Sequence, residues 1–408
     1  PKQLDYLNKI DLSAHALLRI INDILDFSKI EAGKLDIEQM TFFLEDAMHN
    51  VADLISDRTR DKGLELLIAV SPDVPQSLVG DPLRLSQVLI NILGNAVKFT
   101  HEGEIVLSVD VEQQAAETVT LRFEIRDTGI GMTPEQAEAL FEPFTQADSS
   151  TTRKYGGTGL GLTISKSLIN FMGGDIELES ALGKGSTFRF TARFGISDKT
   201  PERRVHAVGE LEGMRVLVVD DSSTSREILG NYLGAMTFDV STADSGEAAL
   251  IMIEHALADN RPYRLILMDW KMPGMDGLVA TRRIKQAMPP PKQPAIIMVT
   301  AGRREEIFGQ ADIDVLDAFI VKPTNPSVLF NTIIRVFGKE VPQPTVRPTS
   351  APMPRDDSDR IQGARVLLVE DNDINREVAV EMLEQMGLMV DTAINGKSAL
   401  AALESERY

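Results

Sequence analysis

The sequence predicts an α/β chain of several domains, and three observations carry that prediction. Between residues 43 and 195, runs rich in β-branched and aromatic residues alternate with segments of helical period. Further on, RVLVVDDSSTSREIL at 215–229 and RVLLVEDNDINREVA at 365–379 align without a gap at a constant offset of 150 residues. Each copy begins an alternating strand–helix–strand unit. Between the copies, VPQPTVRPTSAPMPRDDSD at 341–359 has the prolines and charges of an extended linker. A length of 408 residues suits two to four domains, and 43% hydrophobic with 25% charged residues provides for real cores.

Taken in order, residues 4–31 read as one helix. Leu7, Ile10, Ala14, Leu17, Ile21 and Ile24 are spaced by three and four, which is a heptad seam. Leu18, Leu25 and Phe27 widen it towards dimer or bundle packing, and Gly33 ends it. LELLIAV (64–70), GEIVLSVDV (103–111) and TVTLRFEIRD (118–127) read as strands, LRLSQVLINILGNAVKF (83–99) as a helix and GSTFRFTARF (185–194) as a closing strand. A polar linker follows before the first repeat. The second repeat stops at Tyr408 after two strands and two helices, too few to complete a parallel sheet. Because the first residues already lie inside a helical pattern, a preceding segment is expected.

Charge and composition exclude several functions. A net charge of −19 repels nucleic-acid phosphates, so no nucleic-acid partner is expected. The lack of cysteine removes disulfides, thiolate metal sites and cysteine nucleophiles. No apolar run spans a bilayer and no signal peptide is recognised.

The chemistry concentrates in short motifs. YGGTGLGL (155–162) packs glycines ahead of a helix, as where backbone must approach a phosphate, yet it matches neither the P-loop nor the dinucleotide code. Asn91, Asn95 and Lys98 fall on one side of a helix, where asparagine is disfavoured. Their amides suit either a Mg²⁺ ligand set or plain capping and solvation. In RDTGIGM (126–132) Asp127 ends a strand, where its carboxylate can accept from an adenine amino group while Gly129 and Gly131 admit the ring. Phe141 and Phe144 would anchor a mobile segment, and GKGSTF (183–188), with Thr187, makes a further glycine turn before a strand. Asp127-Thr128-Gly129 and Asp244-Ser245-Gly246 are not an aspartic-protease pair, because the second repeat has Ile394-Asn395-Gly396 at the latter position, which is turn chemistry.

In combination and order, these motifs resemble the catalytic ATP-binding domain of sensor histidine kinases over residues 43–195. The resemblance implies an α/β sandwich of the gyrase–Hsp90–kinase–MutL (GHKL) superfamily that binds ATP with Mg²⁺. It implies Asn95 as Mg²⁺ ligand with Asn91 nearby, Lys98 near the phosphates, Asp127 on adenine, and Phe141 and Phe144 holding a lid. Gly157, Thr158, Gly159, Leu160 and Gly161 would close on the triphosphate, and Arg153 and Lys154 would meet its γ-phosphate. ATPases of that superfamily carry glutamate where this chain has Asn91, so transfer is favoured over hydrolysis. Residues 1–35 resemble the second helix of the kinase dimerisation hairpin, which implies a homodimer through this helix. None of the five histidines (His15, His49, His101, His206, His255) has the acid and proline of the phosphorylated site, so that histidine is expected upstream of Pro1.

After a linker at 196–212, residues 213–338 place Asp220, Asp221, Asp269, Thr300 and Lys322 at the C-terminal ends of strands, where open α/β sheets build sites. Close carboxylates repel unless a cation joins them, which argues for Mg²⁺. This segment resembles a response-regulator receiver, a flavodoxin-like (βα)5 fold. The resemblance implies Asp269 as phosphoacceptor, Asp221 as direct metal ligand and Asp220 acting through water. It adds the Lys271 carbonyl on the metal and Thr300 with Phe319 as the switch pair. After the linker at 339–362, residues 363–408 resemble the start of a second receiver, keeping Glu370 and Asp371. The whole order resembles a bacterial hybrid sensor histidine kinase. The expected partners are a histidine phosphotransfer domain and a response regulator. The expected location is cytoplasmic, with the parent protein held in the bacterial inner membrane. A receiver acting as an allosteric brake, or a mainly phosphatase role, are the rival readings.

Overall fold

The computed structural model describes residues 35, 37–143, 159–197, 211–289, 293–301, 316–337 and 363–405, with helical residues 14, 17, 18, 21 and 24–31 and the adjoining 32. The chain divides into two units, Pro1–Val341 and Pro342–Tyr408. Among the described residues, no helix is long and apolar enough to cross a membrane.

The first unit opens with a seven-stranded sheet. Its elements are β1 (Met40–Phe43), α1 (Leu44–Asp61), β2 (Glu65–Val70), β3 (Ser77–Gly80), α2 (Pro82–Phe99), β4 (Glu104–Gln114), β5 (Thr118–Asp127), α3 (Pro134–Ala139), α4 (Gly161–Phe171), β6 (Ile176–Ala181) and β7 (Gly185–Ile196). The strand order is β1-β3-β7-β5-β4-β2, with β6 beside β7, and only β2–β4 is parallel. The α2 helix forms because Asp81 caps it, accepting from Arg84 N at 3.0 Å, and Pro82 supplies a first residue that needs no donor. Leu85, Val88, Leu89, Ile92, Leu93, Ala96 and Val97 then repeat at helical spacing and are buried. Lys62 closes the far end, donating to the carbonyls of Val97, Lys98 and Thr100. Between sheet and helices, Phe123 and Phe190 stack with centroids 4.7 Å apart.

The N-terminal helix of the sequence reading is described only in part. Leu17, Leu18, Ile21, Ile24 and Leu25 are exposed. Phe27, expected on the same seam, packs instead with Ile30 against the core of the seven-stranded domain. Asp26 explains the turn of that face inward, because it accepts from Gln87 Nε2 at 2.9 Å near the start of α2.

A five-stranded parallel sheet follows: β8 (Arg215–Val219), α5 (Ser223–Ala235), β9 (Asp239–Ala243), α6 (Gly246–Ala258), β10 (Leu265–Asp269), α7 (Gly277–Ala287), β11 (Ala295–Thr300), β12 (Ala318–Val321) and α8 (Pro326–Val336). Its order, β12-β11-β10-β8-β9, is doubly wound, with the switch point between β8 and β10. The inner strands β8, β10 and β11 read as apolar runs because both faces are covered. Ser222, Ser245, Asp276 and Asn325 cap the four helices, each accepting from the residue three on. Ser245 is therefore turn chemistry, as its repeat partner Asn395 suggests.

The second unit holds β13 (Arg365–Val369), α9 (Asp373–Gln385), β14 (Met389–Ala393) and α10 (Gly396–Ser405). The repeat extends to register and side chains. Arg215 pairs with Asp239 and Arg365 with Met389, while Arg226 donates to Asp220 O and Arg376 to Glu370 O.

Candidate nucleotide and phosphoacceptor sites

Three segments of the first domain, α2, the loop after β5 and the start of α4, come together. Gly161 opens α4 so close to α2 that a Cβ there would lie 2.5 Å from Asn91 Oδ1. Asn91 in turn donates to Ser165 Oγ at 2.9 Å, a partner invisible in the motif. Asn95 and Lys98 follow half-buried on the same helix, with the Lys98 ammonium 4.9 Å from the Phe99 ring centre. At the end of β5, Asp127 is buried and accepts from Gly129 N at 2.8 Å. Burial pushes its carboxyl above the ordinary range, and the Gly129 N–H pulls it back. Ile130 N reaches Phe99 O at 3.2 Å, joining this loop to the end of α2.

Phe141 is half-buried and its carbonyl accepts from Thr163 Oγ1 of α4 at 3.2 Å. Gly159 has φ +72°. Leu160 packs its side chain into the core at 1% exposure, so a part in binding falls to its backbone. Thr187 lies half-buried on β7 opposite Arg126. Phe144, Arg153, Lys154, Gly157 and Thr158 lie outside the described residues.

The glycine at 131 has a cause the motif did not reveal. Its φ is +63°, and a Cβ would run into the Ala181 carbonyl of the β6–β7 turn. Gly131→Ala should therefore lower stability by roughly 2 kcal/mol or more even without nucleotide. A urea titration checks this, and an unchanged midpoint would mean that the glycine serves only a ligand.

In the parallel sheet, Asp220 and Asp269 end the two strands that flank the switch point, and both are buried. Lys322 Nζ, after β12, lies 2.7 Å from Asp220 Oδ2 and 3.1 Å from Asp269 Oδ1. Asp220 also accepts from Ser225 Oγ at 2.6 Å and Ser222 N at 2.9 Å. Burial works to lower the Lys322 ammonium, but Asp220, Asp269 and Glu65 together hold it above its usual range. Thr300 is buried at the end of β11, its carbonyl accepting from Lys322 N at 2.7 Å. Phe319 is half-buried opposite Met298, and exposed Lys271 lies over the Trp270 ring at 5.8 Å.

Among the described residues no group of three or more carboxylates or imidazoles is arranged to hold a metal ion. Asp221 is exposed, and the Lys322 ammonium supplies the positive charge between the two buried acids.

Residues 80–196 match the family model of histidine kinase-, DNA gyrase B- and HSP90-like ATPases, and residues 216–334 match that of the response regulator receiver domain. The chain belongs to the hybrid sensor histidine kinases. It is 34% identical to the sensor histidine kinase GacS of Pseudomonas protegens, over all of this chain and 43% of that protein. It is 30% identical to the signal transduction histidine-protein kinase BarA of Escherichia coli, over 82% of this chain and 50% of that one. A crystal structure of full-length ShkA in complex with AMPPNP superposes with a TM-score of 0.64 at 28% identity, covering all of this chain and 78% of that chain. The chain thus spans half or less of the length of these two curated kinases. A GHKL-like ATPase domain and a flavodoxin-like receiver are both present.

The receiver acid carries a pH signature. Burial pushes the Asp269 carboxyl up to about 7, against the pull of Lys322 and with the push of Asp220. A folded value above the unfolded one gives stability that is full below about pH 4 and lost as pH rises through about 7. Asp269→Asn lacks this loss, so its stability relative to the parent should improve by about 3 kcal/mol between pH 5 and pH 8. Urea titrations at the two pH values check it, and a constant difference would contradict it.

Proposed function

We propose that residues 43–195 bind ATP with Mg²⁺ and pass the γ-phosphoryl group to a histidine, and that residues 213–338 then accept it on Asp269. Residues 1–35 are read as the second helix of a dimerisation hairpin, whose exposed leucines and isoleucines suit a second copy of the chain. Residues 196–212 and 339–362 are linkers, and 363–408 begin a second receiver. The observation that carries the reading is the buried Asp220–Lys322–Asp269 cluster, held in the same folded unit as the α2–β5–α4 convergence.

In this reading Asp127 receives the adenine amino group, Asn95 and Lys98 face the phosphates, and Gly159 and Gly161 bring backbone N–H groups to them. That the similar full-length ShkA is a complex with AMPPNP supports a nucleotide as ligand. Asn91, whose amide is spent on Ser165, offers no carboxylate to deprotonate water, so the phosphoryl group is kept for transfer. A bond then forms from phosphorus to an imidazole nitrogen as the bond to ADP breaks. The Asp269 carboxylate later attacks that phosphorus, and the imidazole leaves. Lys322 and Thr300 meet the phosphoryl oxygens.

In this reading Mg²⁺ would be held by hard oxygen donors, Asn95 in the first domain, and Asp220, Asp221, Asp269 and the Lys271 carbonyl in the receiver. When bound, the ion neutralises phosphate charge. From Asp269, a histidine phosphotransfer domain and a response regulator are the proposed next acceptors. Titration with a fluorescent ATP analogue tests the first half of the proposal, and labelling of Asp269 the second.

A further inference from the structure

We propose that Glu65 of the ATPase domain competes with a phosphoryl group on Asp269 for Lys322, so that receiver phosphorylation and receiver docking oppose each other. The proposal rests on Asp269 being the acceptor. Glu65 begins β2 and is three-quarters buried, and its Oε1 lies 2.6 Å from Lys322 Nζ. An ammonium has three protons, and here three carboxylates surround it: Asp220, Asp269 and Glu65. Two belong to the receiver. The third comes from the other domain.

Phosphorylation of Asp269 would add three acceptor oxygens within reach of Lys322 and raise the negative charge there from one to about two. The lysine then has more acceptors than protons. Asp220 is held by Ser225 and Ser222 besides, so Glu65 is the acid with least to keep it there. Its charge would also face the new phosphoryl group at close range and be repelled.

The rest of the contact can yield. Tyr232 OH of α5 donates to Ile68 O at 2.9 Å and accepts from Val70 N at 3.1 Å, and Ser327 bonds Glu45 through its N and Oγ. Arg60 Nε reaches Ala301 O at 3.0 Å, beside the switch residue Thr300. Leu67 and Val106 of the ATPase sheet are buried against the receiver core. Yet a cavity of about 370 Å³ remains between the domains, lined by Met48, Val70, Tyr232, Thr324 and Phe330 among others. The buried Thr324 hydroxyl has no partner there. An interface that leaves such a space between its two faces forgoes packing energy that a close-fitting one would have.

By linkage, whatever phosphorylation takes from docking, docking takes from phosphorylation. The chain lacks cysteine, so Glu117→Cys and Glu254→Cys, at exposed positions one on each domain, place a reporter pair for the interdomain distance. Trp270, the one tryptophan, stands beside Asp269 and reports independently on acceptor occupancy. With Mg²⁺ and beryllium fluoride, a phosphoryl mimic, Trp270 fluorescence should change and the distance lengthen. Glu65→Ala should lengthen it before the mimic is added and raise affinity for the mimic about fivefold or more. Glu45→Ala, which frees Ser327 without touching the acceptor cluster, should shift the affinity in the same direction. A saturated Trp270 signal with an unmoved distance overturns the proposal, as does a Glu65→Ala effect with none from Glu45→Ala. No Trp270 response at all removes the acceptor reading itself.

Discussion

Asp269→Asn is expected to abolish incorporation of labelled phosphate from acetyl phosphate into the chain in the presence of Mg²⁺. The acceptor must attack phosphorus through a carboxylate oxygen, forming the new P–O bond as acetate leaves, and an amide has no such anionic oxygen. Asp269 is the buried acid best placed to do this, because Lys322 lies 3.1 Å from its Oδ1 and Thr300 ends the adjacent strand. Asp220 is also buried, but its two oxygens are occupied by Ser222, Ser225 and Lys322. Lys322→Ala should retain the nucleophile yet lose about a hundredfold in labelling rate, the usual cost of one donor at a developing charge. The variants separate two roles. Label that persists at full rate in Asp269→Asn would place the acceptor elsewhere.

The second large effect falls on the nucleotide. Asp127→Ala is expected to weaken binding of a fluorescent ATP analogue by about 10- to 100-fold, since a hydrogen bond to a charged acceptor contributes about 1.5–3 kcal/mol. Asp127→Asn should lose less, because its carbonyl still accepts from Gly129 N. The same substitutions should narrow the preference for ATP over GTP, which presents a carbonyl where adenine has an amino group. Equal affinities for the parent and Asp127→Ala would remove Asp127 from the base pocket.

Much of this was legible in the sequence because some residues have a single use. The offset of 150 residues passes from motif to strand register without a slip, since a one-residue slip would turn every side chain to the wrong face. Strand-end acids and lysine were likewise visible, because an alternating α/β chain carries every parallel strand end to one edge. What was hidden depended on partners far along the chain. Ser165 stands 74 residues from the Asn91 it bonds, and Glu65 stands 257 residues from Lys322. Neither has a motif of its own. Glycine was ambiguous for another reason: Gly131 reads as room for a ligand, yet the Ala181 carbonyl already requires it. Heptad spacing marks the apolar face that carries Phe27 but not which body covers it, and here the core of the seven-stranded domain does.

A nucleotide held where α2, the loop after β5 and the start of α4 meet should shield the amides of all three. Hydrogen exchange of the chain with and without AMPPNP and Mg²⁺ tests it most directly. Exchange should slow in residues 91–99, 127–132 and 159–163, with the strands of the second unit unchanged. Protection confined to other segments, or none at saturating nucleotide, would contradict it.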